Sequence, residues 1–169
     1  MGELMSGKVP VGMPFALPDA FGALRSLEEF RGKLVLLYFG YTGCPDVCPI
    51  DLAFIAAALR SLGAEADAVQ PIFVTLDPAR DTPEVLRQYA AAFDARFVAL
   101  RGDEEETRRI ARAWKVYYEK VPRPDGAYFI DHMAFTFVLD RRGRYTALFP
   151  PGTPADRMVV MLRELLEAP

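Results

Sequence analysis

Cysteine and histidine are scarce in this chain: it has two cysteines, Cys44 and Cys48, and one histidine, His132, among 169 residues. Two cysteines exclude the disulfide scaffold that holds many small secreted domains together. No basic stripe is present. The net charge is −3, with acids and bases interspersed, so no nucleic-acid partner is expected. No window approaches the roughly 18 uninterrupted apolar residues of a membrane helix. The first ten residues lack the basic start and apolar stretch of a signal peptide. Any membrane anchor is therefore expected outside this chain. Internal repeats, low-complexity tracts and long linkers are also missing.

What remains is ordinary globular material, with 51% hydrophobic and 25% charged residues. The length suits one domain spanning residues 1–169, with residues 1–11 as a loose arm. Residues 14–17 read as a short strand and 26–30 as one helical turn. Lys33 to Tyr41 is a continuous apolar run between turn signals, as a central strand covered on both faces requires. Residues 49–62 read as a helix ended by Gly63, and 70–76 as a second central strand. Asp81-Thr82-Pro83 is a helix start, with Asp81 as the expected cap. Residues 97–100 read as a strand, and Asp103 with Glu106 as a capping box for a helix to Trp114. A strand over 116–121, an irregular loop over 123–132, a hairpin over 134–149 and a final helix complete the chain. Strands joined through helices imply parallel pairing, and the hairpin adds antiparallel pairing. The expected fold class is α/β and thioredoxin-like. Its mixed central sheet is flanked by helices, with an added N-terminal strand or hairpin.

The two cysteines share one loop, Gly43-Cys44-Pro45-Asp46-Val47-Cys48-Pro49, at the end of the first central strand. Paired cysteines of this kind are more often redox or metal-binding than structural. Pro49 fits the first helical position and disfavours helical angles at Cys48, which makes Cys48 the expected N-cap. Both sulfurs would then lie near the positive end of a helix dipole and favour thiolate. Three residues separate the cysteines, where thioredoxin-type oxidoreductases have two. The loop can close a disulfide or grip one soft ion, and two thiolates suit Cu(I) or zinc. A structural zinc site normally takes four protein ligands, whereas Cu(I) accepts three. His132, just ahead of the strand 134–140, is the one obvious third ligand. In thioredoxin-like folds that position faces the cysteines and usually carries a cis-proline, which this chain lacks.

These residues resemble the Sco/SenC family, the copper-binding assembly factors of cytochrome c oxidase. The matching stretches are TGCPDVCP (42–49), VTLDPARDTP (74–83) and DHMAFTFVLDRRGR (131–144), in that order. The resemblance implies copper held by Cys44, Cys48 and His132, as Cu(I) and also Cu(II). It implies delivery of copper to the binuclear site of oxidase subunit II, reduction of that site's cysteines, or both. It also implies a copper donor protein. Family members are usually tethered by an N-terminal membrane helix and face the periplasm or the mitochondrial intermembrane space. An exported, periplasmic, membrane-associated monomer is therefore expected.

Asp77, at the end of the second central strand, has two readings: orienting a ligand or partner-facing loop from behind, or capping a turn before Pro78. Asp46 either tunes the charge of the cysteines or is simply solvated. Met133 is expected in the core, and Tyr117, Tyr118 and Tyr128 flank the long loop. The metallochaperone reading has one main rival, a metal-independent thiol–disulfide oxidoreductase whose redox pair is Cys44 and Cys48. Peroxide reduction through a single cysteine ranks below both.

Overall fold

The computed structural model describes residues 11–169, so the expected arm falls almost wholly outside the described part. Strand β3 (Leu34–Gly40) is the spine, with all seven residues buried. Its side chains alternate between two faces, as strand geometry requires. Leu34, Leu36 and Tyr38 enter one apolar cluster. Val35, Leu37 and Phe39 enter the other. β4 (Val69–Thr75) and β5 (Val98–Leu100) continue parallel on one side of β3. β8 (Thr136–Leu139) lies antiparallel on the other side, with β9 (Tyr145–Phe149) beyond it. The sheet order is β5-β4-β3-β8-β9, the mixed thioredoxin-like sheet that the strand and helix order implied.

Helices cover both faces. α1 (Val47–Leu62), α2 (Pro83–Phe93) and α4 (Ala155–Glu167) send Leu59, Leu86 and Leu162 into the first cluster. α3 (Glu104–Ala113) sends Ile110 into the second, next to Trp114. The capping box on α3 forms: the Asp103 side chain accepts from Glu106 N, and the Glu106 side chain accepts from Asp103 N. Ahead of the sheet, β1 (Ala16–Pro18) and β2 (Leu24–Ser26) make the added N-terminal hairpin. It is joined to the end of β5 by Arg101 N donating to Pro18 O.

Three local expectations change. Residues 128–132 are not loop: β7 (Tyr128–His132) pairs antiparallel with β6 (Tyr118–Pro122). Pro124-Asp125-Gly126 forms the turn between them, with Gly126 at φ +84°. α1 begins at Val47, two residues before Pro49, and a 3-10 turn over Gly63–Ala68 follows it. Finally, Val47–Ala68 does reach membrane-spanning length and average hydropathy, despite Asp51, Arg60, Glu65 and Asp67. Its buried residues, among them Leu52, Ile55, Leu59 and Leu62, pack into the core.

Leu59 is fully buried on α1. Leu59→Ala should destabilise the protein by about 2–5 kcal/mol, the range for deleting a buried leucine side chain. Urea unfolding reads this directly, and a loss under about 1 kcal/mol would contradict the packing described.

Candidate metal centre

β3 ends at Gly40, and the chain turns through Thr42 and Gly43 into the cysteine loop. Asp46 takes the cap position of α1, without a capping hydrogen bond from its side chain. Cys48 is therefore inside the first helical turn and not the N-cap. Pro49 is tolerated there because first-turn N–H groups have no intrahelical partner to lose. One of those spare donors, Cys48 N, points at Cys44 Sγ at 3.5 Å. A sulfur stands where a capping oxygen usually would. Gly40 is also explained, since a Cβ there would lie 2.9 Å from Cys48 Sγ.

His132 is the last residue of β7. Its Nε2 lies 3.3 Å from Cys48 Sγ, and its Nδ1 lies 3.0 Å from Met133 O. A carbonyl can only accept, so Nδ1 carries the proton and the Nε2 lone pair faces the sulfurs. The Tyr41 ring meets the imidazole edge-on at 5.6 Å, and its hydroxyl accepts from Ile130 N at 3.1 Å. The donor atoms of Cys44, Cys48 and His132 all lie within 4.8 Å of one another. Both cysteines are buried and carry free thiols. Two soft sulfurs and one imidazole nitrogen form a three-donor set that suits Cu(I) and falls one protein ligand short of structural zinc.

The sulfurs are not equivalent. A hydrogen bond from Cys48 lowers the Cys44 thiol to about 4, against the effect of burial. The Cys48 thiol is pushed up, first by that same hydrogen bond and then by burial. The two sulfurs share a hydrogen bond and titrate as a pair, with Cys44 favoured as its thiolate and Cys48 as its thiol. Beneath Cys48, Tyr38 Oη donates to buried Asp51 at 3.1 Å, and Asp51 also accepts from Gly152 N at 2.8 Å. Burial raises the Asp51 carboxyl, with those two donors opposing it.

Two aspartates of the Asp77-Pro78-Ala79-Arg80-Asp81 segment do different work. Asp81 is not the cap of α2; Thr82 is, accepting from Val85 N. The Asp81 carboxylate instead accepts from Thr42 N at 3.0 Å, Thr42 Oγ1 at 2.5 Å and Thr75 Oγ1 at 2.6 Å. Asp77 is fully buried and makes no bond to a cysteine or to His132 among the described contacts. Its carboxylate is paired with Arg80 and accepts from Tyr128 Oη at 2.7 Å. The bond to Asp77, after burial, pushes the Tyr128 phenol up to about 12. Asp46 is exposed, while Met133 is half-buried and offers its carbonyl to His132. Sequence reasoning assigns no site role to Thr75 or Arg80, and reads Tyr41 only as core or pocket wall; the signal for Thr42, Thr75 and Arg80 is that they lie in the matching stretches 42–49 and 74–83.

Comparison with known proteins gives concordant matches. The SCO1/SenC family model matches residues 4–167. An SCO2-like protein of Rickettsia prowazekii is 40% identical over 149 residues, 87% of this chain and 73% of that protein. The structure of Bradyrhizobium japonicum ScoI with copper bound matches with a TM-score of 0.85 and 38% identity, over 92% of this chain and 99% of that one. Yeast Sco1 with copper bound matches with a TM-score of 0.86 and 29% identity, over 95% and 91% of the two chains.

Ultraviolet titration of the reduced, metal-free protein should show one thiolate persisting down to pH about 4, and no second thiolate below pH 9. Two thiols titrating together near 9 would contradict the shared proton. Gly40→Ala should cost about 1–3 kcal/mol in a denaturation experiment, because the added methyl overpacks Cys48 Sγ. An unchanged midpoint would mean that the sulfur lies elsewhere.

Proposed function

The chain belongs to the SCO1/SenC family, and we propose that it is a copper-binding assembly factor for cytochrome c oxidase, with Cys44, Cys48 and His132 as the copper ligands. The observation that carries this is the 4.8 Å cluster of two thiols and an imidazole. The cargo, Cu(I), prefers that donor set and that coordination number. Cys44 offers a ready thiolate, Cys48 gives up its proton on binding, and the Nδ1–H bond to Met133 O fixes the imidazole for ligation through Nε2. Copper bound as Cu(II) would use the same three residues. On this reading residues 1–169 form one monomeric, exported domain that works at the outer face of a membrane. It receives copper from a donor protein and passes it to oxidase subunit II.

A second reading uses the same sulfurs for electrons, with Cys44 and Cys48 as a redox pair. The Cys44 thiolate attacks one sulfur of a partner disulfide, and Cys48 then attacks the mixed disulfide. The pair gives up two electrons and one proton and closes a Cys44–Cys48 disulfide. The partner gains them as one thiolate and one thiol. The unequal protonation of the two sulfurs favours this order of attack. Bound copper and the disulfide are alternative states of one site, so the readings are compatible.

An anaerobic competition titration with Cu(I) tests the ligand set. His132→Ala should weaken binding by at least the roughly 10–100-fold that follows loss of a mere supporting contact. Binding as tight as in the parent would rule the imidazole out. Incubation with an oxidised copper-site apoprotein tests the redox reading. Appearance of its free thiols, lost in Cys44→Ser, supports it, and no exchange with that partner removes it.

A further inference from the structure

We infer that Arg80 is a positioning residue that clips the strand carrying His132 onto the cysteine loop; this rests on His132 being a copper ligand.

The need for such a clip follows from the topology. β6 and β7 form a separate two-stranded ribbon, hydrogen-bonded to each other and not to the five-stranded sheet. The cysteines are fixed to the sheet through β3 and α1, but His132 sits on the ribbon. A three-residue link, Met133–Phe135, joins the His132 end to β8, so the angle of the ribbon over the sulfurs depends also on side-chain contacts that cross from ribbon to body. An isolated two-stranded ribbon has little stability of its own.

Few polar contacts make that crossing. Lys120 Nζ meets Glu104 at 3.0 Å, but both side chains are more than 40% exposed, and such pairs contribute little. Tyr41 Oη accepts from Ile130 N. Apart from the Cys48–His132 contact itself, the remaining crossings converge on Arg80 and its partner Asp77. Its Nε is bound to the buried Asp77 carboxylate, and its Nη1 donates to Tyr128 O at 2.7 Å. Its guanidinium carbon lies 3.7 Å from the centre of the Tyr128 ring and 5.9 Å from that of Tyr41, the ring that meets His132. Tyr128 Oη closes the loop by donating to Asp77. One planar group thus binds the body, the ribbon backbone and an aromatic face together. A lysine, whose ammonium is a compact point charge without a planar fork or face, does not reproduce that combination.

The register shows why this acts at a distance. Tyr128 and His132 are both on the inner face of β7, four residues apart, with buried Ile130 between them. Arg80 holds one end of that inner face and Tyr41 its middle. Releasing the Tyr128 end loosens β7 about Ile130, and the imidazole then shifts from the sulfurs within the slack of the three-residue link to β8. Arg80 is 39% exposed at its side chain, so a partner's surface can reach it.

The test compares the parent with Arg80→Gln, Arg80→Lys, Asp77→Asn and Tyr128→Phe. Amide hydrogen exchange of residues 118–132 is measured first, on metal-free reduced protein. In Arg80→Gln these amides should exchange about tenfold faster, while amides of β3 and α1 keep parental rates. Arg80→Lys should not rescue them. Tyr128→Phe keeps the ring beneath the guanidinium and should change exchange less than Arg80→Gln does. Competition titration with Cu(I) follows, and the dissociation constant should rise about tenfold in Arg80→Gln and in Asp77→Asn, with no further rise in the double variant. Parental exchange in the ribbon of Arg80→Gln overturns the inference, as does full rescue by lysine. Uniformly faster exchange across β3 and α1 also overturns it, since that marks a general stabilising role. If the parent itself takes up no copper, the function proposed above fails, while the exchange data still decide whether the clip exists.

Discussion

The Asp81 carboxylate is the constraint on which the site's geometry hangs. It accepts from the backbone and hydroxyl of Thr42 and from the hydroxyl of Thr75. Thr75 ends β4, Thr42 begins the cysteine loop, and Asp81 itself leads into α2. Three elements therefore meet on one buried acid with three satisfied bonds. Leaving those donors unpaired would cost about 1–3 kcal/mol apiece, so the loop has little freedom to drift. Copper chemistry with three donors needs that rigidity, because one misplaced sulfur leaves a site with two.

From this anchor the chemistry follows in steps. The loop places Cys44 Sγ over the first turn of α1, where Cys48 N donates to it. Gly40 leaves the space that Cys48 Sγ fills. The helix terminus and the neighbouring thiol together keep Cys44 as a thiolate, and the low-dielectric side of the same pair keeps the proton on Cys48. A pair with one charge is cheaper to bury than a pair with two. The ribbon then supplies the neutral nitrogen, oriented by a backbone carbonyl on its far side. The result is a reduced, closely spaced donor set ready for a soft ion or for disulfide exchange.

Much of this was legible in the sequence, for identifiable reasons. The apolar run 33–41 reads as a doubly covered strand because all seven residues of β3 are in fact buried. Cys44, Cys48 and His132 stand out because they are the only residues of their kinds, and the motifs around them resemble one family. The first ribbon strand, β6, matches the strand expected over 116–121, but β7 reads as loop because mixed polarity hides the alternation over Tyr128–His132. The start of α1 was misplaced because the preference before proline is a bias that tertiary packing overrides. Asp81 and Asp77 look like ordinary turn and cap residues in one dimension. Their real partners, Thr42 and Tyr128, are 39 and 51 residues away, and no local pattern announces them.

On the proposed reading, Cys44, Cys48 and His132 together hold copper. X-ray absorption at the copper edge on the anaerobic Cu(I)-loaded protein tests it most directly. Two sulfur scatterers and one imidazole nitrogen per copper are expected, with the imidazole signal gone in His132→Ala. Two sulfurs with no imidazole in the parent protein, or a ligand shell unchanged by that substitution, would contradict it.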